Sequence, residues 1–128
     1  MEIAKRWEDA FTRYDWDALD DLITADFEWF PALPGVIEGN GYRGHDGFAT
    51  YARELEETWE DLIVLVDEFR DLGDRALSLG RMEGRGRGSG VVVGTPVGQI
   101  YEFRGEKLAR IRVFLSHSAA LRAAGLSE

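Results

Sequence analysis

The chain of 128 residues has no cysteine, two histidines, three prolines and a formal net charge of -9. Lack of cysteine removes disulfides, thiolate nucleophiles and most zinc-binding patterns. The two histidines, His45 and His117, lie far apart in sequence, so no metal-ligand spacing is present and no metal is expected. A shortage of cations argues against a nucleic-acid partner, since a domain that neutralises phosphates carries a basic surplus. No segment approaches the roughly 20 apolar residues that span a bilayer, so no membrane partner is expected. "MEIAKRWEDAF" has no continuous apolar core of the kind a signal peptide needs, which makes the cytoplasm the expected location.

What is present is the composition of a globular domain, with 45% apolar and 30% charged residues, and the length suits a single domain over 1–128. Ile3, Trp7, Ala10, Phe11 and Tyr14 recur at helical spacing, with Lys5, Arg6, Glu8 and Asp9 filling the polar side between them. Asp15 is placed to cap a second helix carrying Trp16, Leu19, Leu22 and Ile23. "DFEWF" alternates into a short strand ending at Pro31, and a loop is expected around Pro34 and Gly35. "EGNGYRGHDG" reads as turn, followed from His45 or Asp46 by a third helix whose inner side runs Phe48, Tyr51, Ala52, Leu55, Trp59 and Leu62. The acidic run from Glu54 to Asp61 is its solvated face. Beyond it the period changes to two, and "IVLVDEFRDL", "RALSLGRMEG", "VVVGTPVGQIYEF" and "KLARIRVFL" read as strands. "SHSAALRAAGL" closes the chain as a helix capped by Ser116, with His117 in that cap. Helices followed by antiparallel strands define an α+β fold.

"GRMEGRGRGSG", residues 80–90, needs its own account. Its glycines lack the G-x-G-x-x-G spacing of dinucleotide sites, and no Gly-Lys-Ser or Gly-Lys-Thr follows, so it is no phosphate cradle. It fits a hairpin turning near Gly88, Ser89 and Gly90. Glycines then occupy one face, leaving room for a ligand, a bend or a neighbouring backbone, while Arg81 and Glu83 share the other.

The element order, together with "FTRYDWDALDDLI", "ADFEWFPA", "YRGHDGFATY", "DLGDRALSLGR" and "VFLSHSAALRAAGL", is similar to SnoaL-like proteins of the superfamily that shares the nuclear transport factor 2 (NTF2) and ketosteroid isomerase fold. The resemblance implies a cone: a curved mixed sheet wrapped on helices around an apolar pocket, often in a homodimer, with no cofactor. It implies chemistry less directly. At the positions matching the isomerase tyrosine, base and third acid stand Trp7, Phe30 and Gly98 or Gln99, so that mechanism is absent. Arg81-Met82-Glu83 resembles part of the epoxide-hydrolase trio, whose second acid the last strand lacks. The acid of the polyketide cyclases corresponds to Gln99.

Two functions from different classes stay open. One is a protein that binds a small apolar or polycyclic molecule, as an isomerase, cyclase or hydrolase without cofactor. The other is a non-catalytic dimerisation module with a vestigial pocket. For the first, the candidate catalytic residues are His45, Arg81 and Glu83. A solvated helix start for His45 and an outward ion pair for Arg81 and Glu83 are the plainer alternatives. The candidate pocket residues are Trp7, Phe11, Trp29, Tyr51, Trp59, Gln99, Tyr101 and Phe103, with Gln99 buried and in need of a partner.

Overall fold

The computed structural model describes residues 1–31 and 41–126; the loop expected around Pro34 and Gly35 lies outside them. In chain order the elements are α1 (Glu2–Thr12), α2 (Trp16–Asp20), β1 (Ile23–Phe30), β2 (Tyr42–Arg43), α3 (Gly44–Thr58), β3 (Trp59–Asp71), β4 (Arg75–Gly86), β5 (Val92–Arg104), β6 (Lys107–Phe114) and α4 (His117–Ala123). Among the described residues, six strands form one mixed sheet in the order β2-β1-β6-β5-β4-β3, with β1 and β6 parallel and the other neighbours antiparallel. This is the expected α+β architecture.

Both proposed caps form. Asp15 accepts from the backbone N–H of Ala18 at 3.1 Å, and Ser116 accepts from that of Ala119 at 3.3 Å. Three boundaries differ from expectation. The second helix stops at Asp20, and Ile23 opens β1 instead of extending the helix. Tyr42 and Arg43, within the glycine-rich turn, pair with Trp29 and Glu28 as a short strand. The third helix ends at Thr58, so Trp59 and Leu62 belong to β3.

That last difference has a specific cause. The β3–β4 register shifts between Glu60 and Ile63, and Asp61 takes a left-handed φ of 55°. Such a bulge puts two strand residues three apart on one face, the spacing a helix also uses. Side chains of both Trp59 and Leu62 accordingly reach toward Gly84.

One face of the sheet packs on α1 and α3. Its core holds Trp7, Phe11, Phe27, Trp29, Phe48, Tyr51, Tyr101 and Ile111. The opposite face is covered at one end by α4, through Leu77, Leu79, Ile100, Ala120 and Leu121. Burying each of these large side chains contributes about 1.5–3 kcal/mol before the entropy of ordering is counted.

The glycine–arginine stretch resolves as a hairpin, with Gly86 and Gly90 joined across the turn. Gly80 answers the question its face raised: a Cβ there would stand 2.0 Å from the Leu65 carbonyl oxygen, opposite a second bulge in β3. Another backbone fills the space. Gly98 likewise admits Ala120 of α4, whose Cβ would lie 2.5 Å from an added methyl.

Candidate functional site

The polar centre of the interior is one of the charged residues that fall between the apolar positions of the first helix. Glu8 is only 7% exposed. It follows Ala4 by four residues and precedes Phe11 by three, so it shares their stripe on α1 and points at the sheet. Gln99 Nε2 donates to Glu8 Oε1 at 2.8 Å, and the Tyr101 hydroxyl donates to the same oxygen at 2.5 Å. Strand alternation sets this up, because Gln99 and Tyr101 are two apart on β5 and share its inner face. Ser78, paired with Gln99 on β4, lies 2.8 Å from the Tyr101 oxygen. With the phenol proton committed to Glu8, Ser78 is the donor in that contact.

Both hydrogen bonds fall on Oε1. Oε2 has no partner among the described residues. No lysine, arginine or histidine lines the surrounding space there either. Burial therefore pushes the Glu8 carboxyl from the ordinary 4.5 up to about 7, against the opposing pull of the Tyr101 and Gln99 hydrogen bonds. Tyr101 is driven well above the usual phenol range, first by burial and then by the charge of Glu8. At neutral pH the carboxyl is thus divided between acid and base forms, the condition for proton transfer in either direction.

Glu8 and Gln99 face a cavity of about 40 Å³, whose remaining walls include Trp7, Phe11, Trp29, Tyr51, Val64, Met82, Val97 and Val113. The rings are closely interlocked: Trp29 meets Tyr51 edge-on at 4.4 Å and Trp7 edge-on at 5.4 Å. Trp29 also holds a buried indole N–H without a partner among the described residues. That space is small, yet it exceeds the roughly 10–15 Å³ that admits one water.

A larger open groove, about 780 Å³, adjoins it. Phe11, Leu55 and Leu62 belong to the walls of both, so the two spaces adjoin along these three side chains. Tyr14, Trp16 and Trp59 supply its rings, and Glu56, Glu57, Glu60 and Asp61 its acids, against Arg53 and Arg87. The acidic run is therefore split between the end of α3 and the start of β3.

The expected site residues divide accordingly. Trp7, Phe11, Trp29, Tyr51 and Gln99 line the cavity, and Tyr101 stands behind it, bonded to Glu8. Trp59 lines the groove, while Phe103 belongs to neither wall. Arg81 and Glu83 lie on the outer face of β4, paired at 3.7 Å with side chains about half exposed (51% and 47%). His45 sits at the surface start of α3, its Nδ1 2.6 Å from Asp20 Oδ1. His117 docks the last helix through Nε2, 2.8 Å from the Gly80 carbonyl oxygen. No group of three or more metal-ligating side chains occurs among the described residues. None of their helices is long and apolar enough to cross a membrane.

A family model described as a SnoaL-like domain matches residues 4–111. The chain belongs to the SnoaL-like family. Three solved structures share the SnoaL-like fold with it. A ketosteroid isomerase-like protein from Catenulispora acidiphila, in complex with trimethylamine, is 22% identical with a TM-score of 0.78, covering 98% of this chain and 93% of that one. An NTF2-like protein from Burkholderia thailandensis is 24% identical with a TM-score of 0.80, covering 97% and 93%. TerC, co-crystallised with polyporic acid, is 19% identical with a TM-score of 0.77, covering 92% of each chain. No curated protein matches the chain in sequence.

Proposed function

We propose that this SnoaL-like protein binds a small, mostly apolar molecule whose polar group reaches Glu8, and that Glu8 exchanges a proton with it without a cofactor. The observation that carries this reading is the buried carboxyl itself. An acid held near pKa 7, with one oxygen anchored and the other without a partner among the described residues beside an aromatic-walled cavity, is costly to bury and is a natural contact for a ligand's polar group. The cavity takes the polar head and the adjoining groove takes the body, which reconciles a small interior with a larger ligand. Fold relatives that hold trimethylamine and polyporic acid support small-molecule binding, and they differ too much in chemistry to name the ligand. In this reading Gln99 and Tyr101 position the carboxyl, while Arg81, Glu83 and His45 act elsewhere.

The test is native mass spectrometry of the purified protein for a carried small molecule, followed by its affinity for wild type and Glu8→Gln. Binding that depends on Glu8, with a pH profile turning near 7, is the expected result. A carried molecule bound equally well by Glu8→Gln would overturn the proposal.

A second reading draws on a different surface. Beyond α4, the outer face around the β4–β5 hairpin exposes Leu65 (46%) and Val92 (71%) beside Arg81 and Glu83. That mixture of apolar area and both charges suits a homodimer contact. Sedimentation of Leu65→Glu against wild type tests it: a dimer that dissociates supports it, and unchanged association counts against it.

A further inference from the structure

Resting on the reading of Glu8 as the ligand's polar contact, the charge of the ligand can be narrowed. We infer that the cavity selects an organic amine, bound as its ammonium ion with nitrogen against Glu8 Oε2 and its hydrocarbon body running along Phe11, Leu55 and Leu62 toward the groove. Three features of the site support this.

First, an anionic ligand has nothing to meet. The described walls hold one ionisable carboxyl and no cation, so a second negative charge there would be both desolvated and repelled. Second, the carboxyl lacks a cation of its own. Its donors, Gln99 and Tyr101, are neutral and share Oε1, leaving the outward oxygen open. An ammonium group supplies the donors and the opposite charge in one contact, a stronger pairing than a neutral hydroxyl offers. Trp7, Phe11, Trp29 and Tyr51 surround the same space, and ring faces attract cations. Third, the approach has the matching field. The groove along Phe11, Leu55 and Leu62 carries four carboxylates against two arginines; with Arg87 paired to Glu60 at 3.5 Å, three carboxylates face Arg53 alone, the same excess of two. A negative groove in a chain of net charge -9 draws cations inward.

The proton balance follows. Where Glu8 is protonated, the incoming ammonium keeps its own protons and the Glu8 proton leaves to the buffer, giving an ammonium–carboxylate pair. The titratable groups facing Glu8 are Tyr101 from β5 and Tyr51 from α3, both raised by burial, so neither contributes near neutrality. With the carboxyl near 7, about nine in ten copies release a proton on binding at pH 6, and about one in ten at pH 8.

Three probes with one body test this: 3-methylbutylamine, 3-methylbutan-1-ol and 3-methylbutanoate. Each is titrated into the intact protein at pH 6 and pH 8, by calorimetry in two buffers of different ionisation enthalpy. The amine is expected to bind at least tenfold tighter than the alcohol at pH 8, with the carboxylate not binding. Proton release near 0.9 at pH 6 should fall to about 0.1 at pH 8. Glu8→Gln should bring the amine down to the affinity of the alcohol. An alcohol that binds as tightly as the amine, using Trp29 N–H and Oε2 together, overturns the inference; if that binding is still lost in Glu8→Gln, the broader reading of the site stands. Amine binding without proton release at pH 6 also overturns the inference. Failure of all three probes to bind overturns both.

Discussion

Replacing Glu8 by glutamine should make the protein more stable, by an amount that depends on pH. Glutamine has the same shape, and its Oε1 accepts the same two donors. The folded protein holds the Glu8 proton more tightly than the unfolded chain, about 7 against the ordinary 4.5. Between those values the native state carries more protons than the unfolded state, so wild-type stability falls as pH rises and levels off above about 7. At about 1.4 kcal/mol per pH unit, this interval corresponds to about 3 kcal/mol. The glutamine variant has no such proton to lose. The difference between variant and wild type should therefore grow from near its minimum at pH 4.5 to about 3 kcal/mol more at pH 8, or on the order of 10 °C in Tm for a domain of this size. Any fixed cost of the new amide N–H shifts the whole curve without changing its slope. Urea unfolding followed by tryptophan fluorescence at several pH values reads it directly. Parallel stability curves for the two proteins would refute the reasoning.

Other expectations concern the supporting structure. Tyr101→Phe removes a donor to the carboxylate, so the Glu8 carboxyl should titrate above 7, with about 1–2 kcal/mol of stability lost. Titration in that variant at or below the wild-type value would contradict this. Gly80→Ala must move the Leu65 backbone and should cost about 3 kcal/mol or more by thermal unfolding, whereas a loss under 1 kcal/mol would show that β3 yields. Arg81→Ala breaks an exposed pair and should change stability by less than about 0.5 kcal/mol, leaving probe binding at the Glu8 cavity intact.

Much of the fold was legible because its elements obey simple periods. Asp15 and Ser116 announced their helices as caps, and the change from helical to alternating pattern placed the antiparallel strands. Gln99 and Tyr101 keep a simple alternation and share the inner face, whereas the register shift between Glu102 and Phe103 interrupts it before Phe103. Misreadings came where one spacing serves two structures. Trp59 and Leu62 continue the α3 stripe in sequence, yet a bulge gives a strand the same spacing. Glu8 is hard to place from sequence because a charged residue on a helix usually faces solvent. Its position carries the signal: four residues after Ala4 and three before Phe11, it lies at the edge of the apolar stripe, and in the fold it points inward. The buried Gln99 posed the matching question of a partner, and the partner is 91 residues away. Nothing local joins the two, since the juxtaposition depends on β5 passing beneath α1.

The account rests on a carboxyl that trades protons near neutrality inside an aromatic wall. Carbon-13 NMR of a glutamate-labelled sample, with the Glu8 signal identified by its loss in Glu8→Gln, measures this most directly. An inflection at about 7 is the predicted result. Titration near 4.5 would contradict it, because a carboxyl with that value would be hydrated, paired with a cation, or held ionised by its hydrogen bonds against the cost of burial.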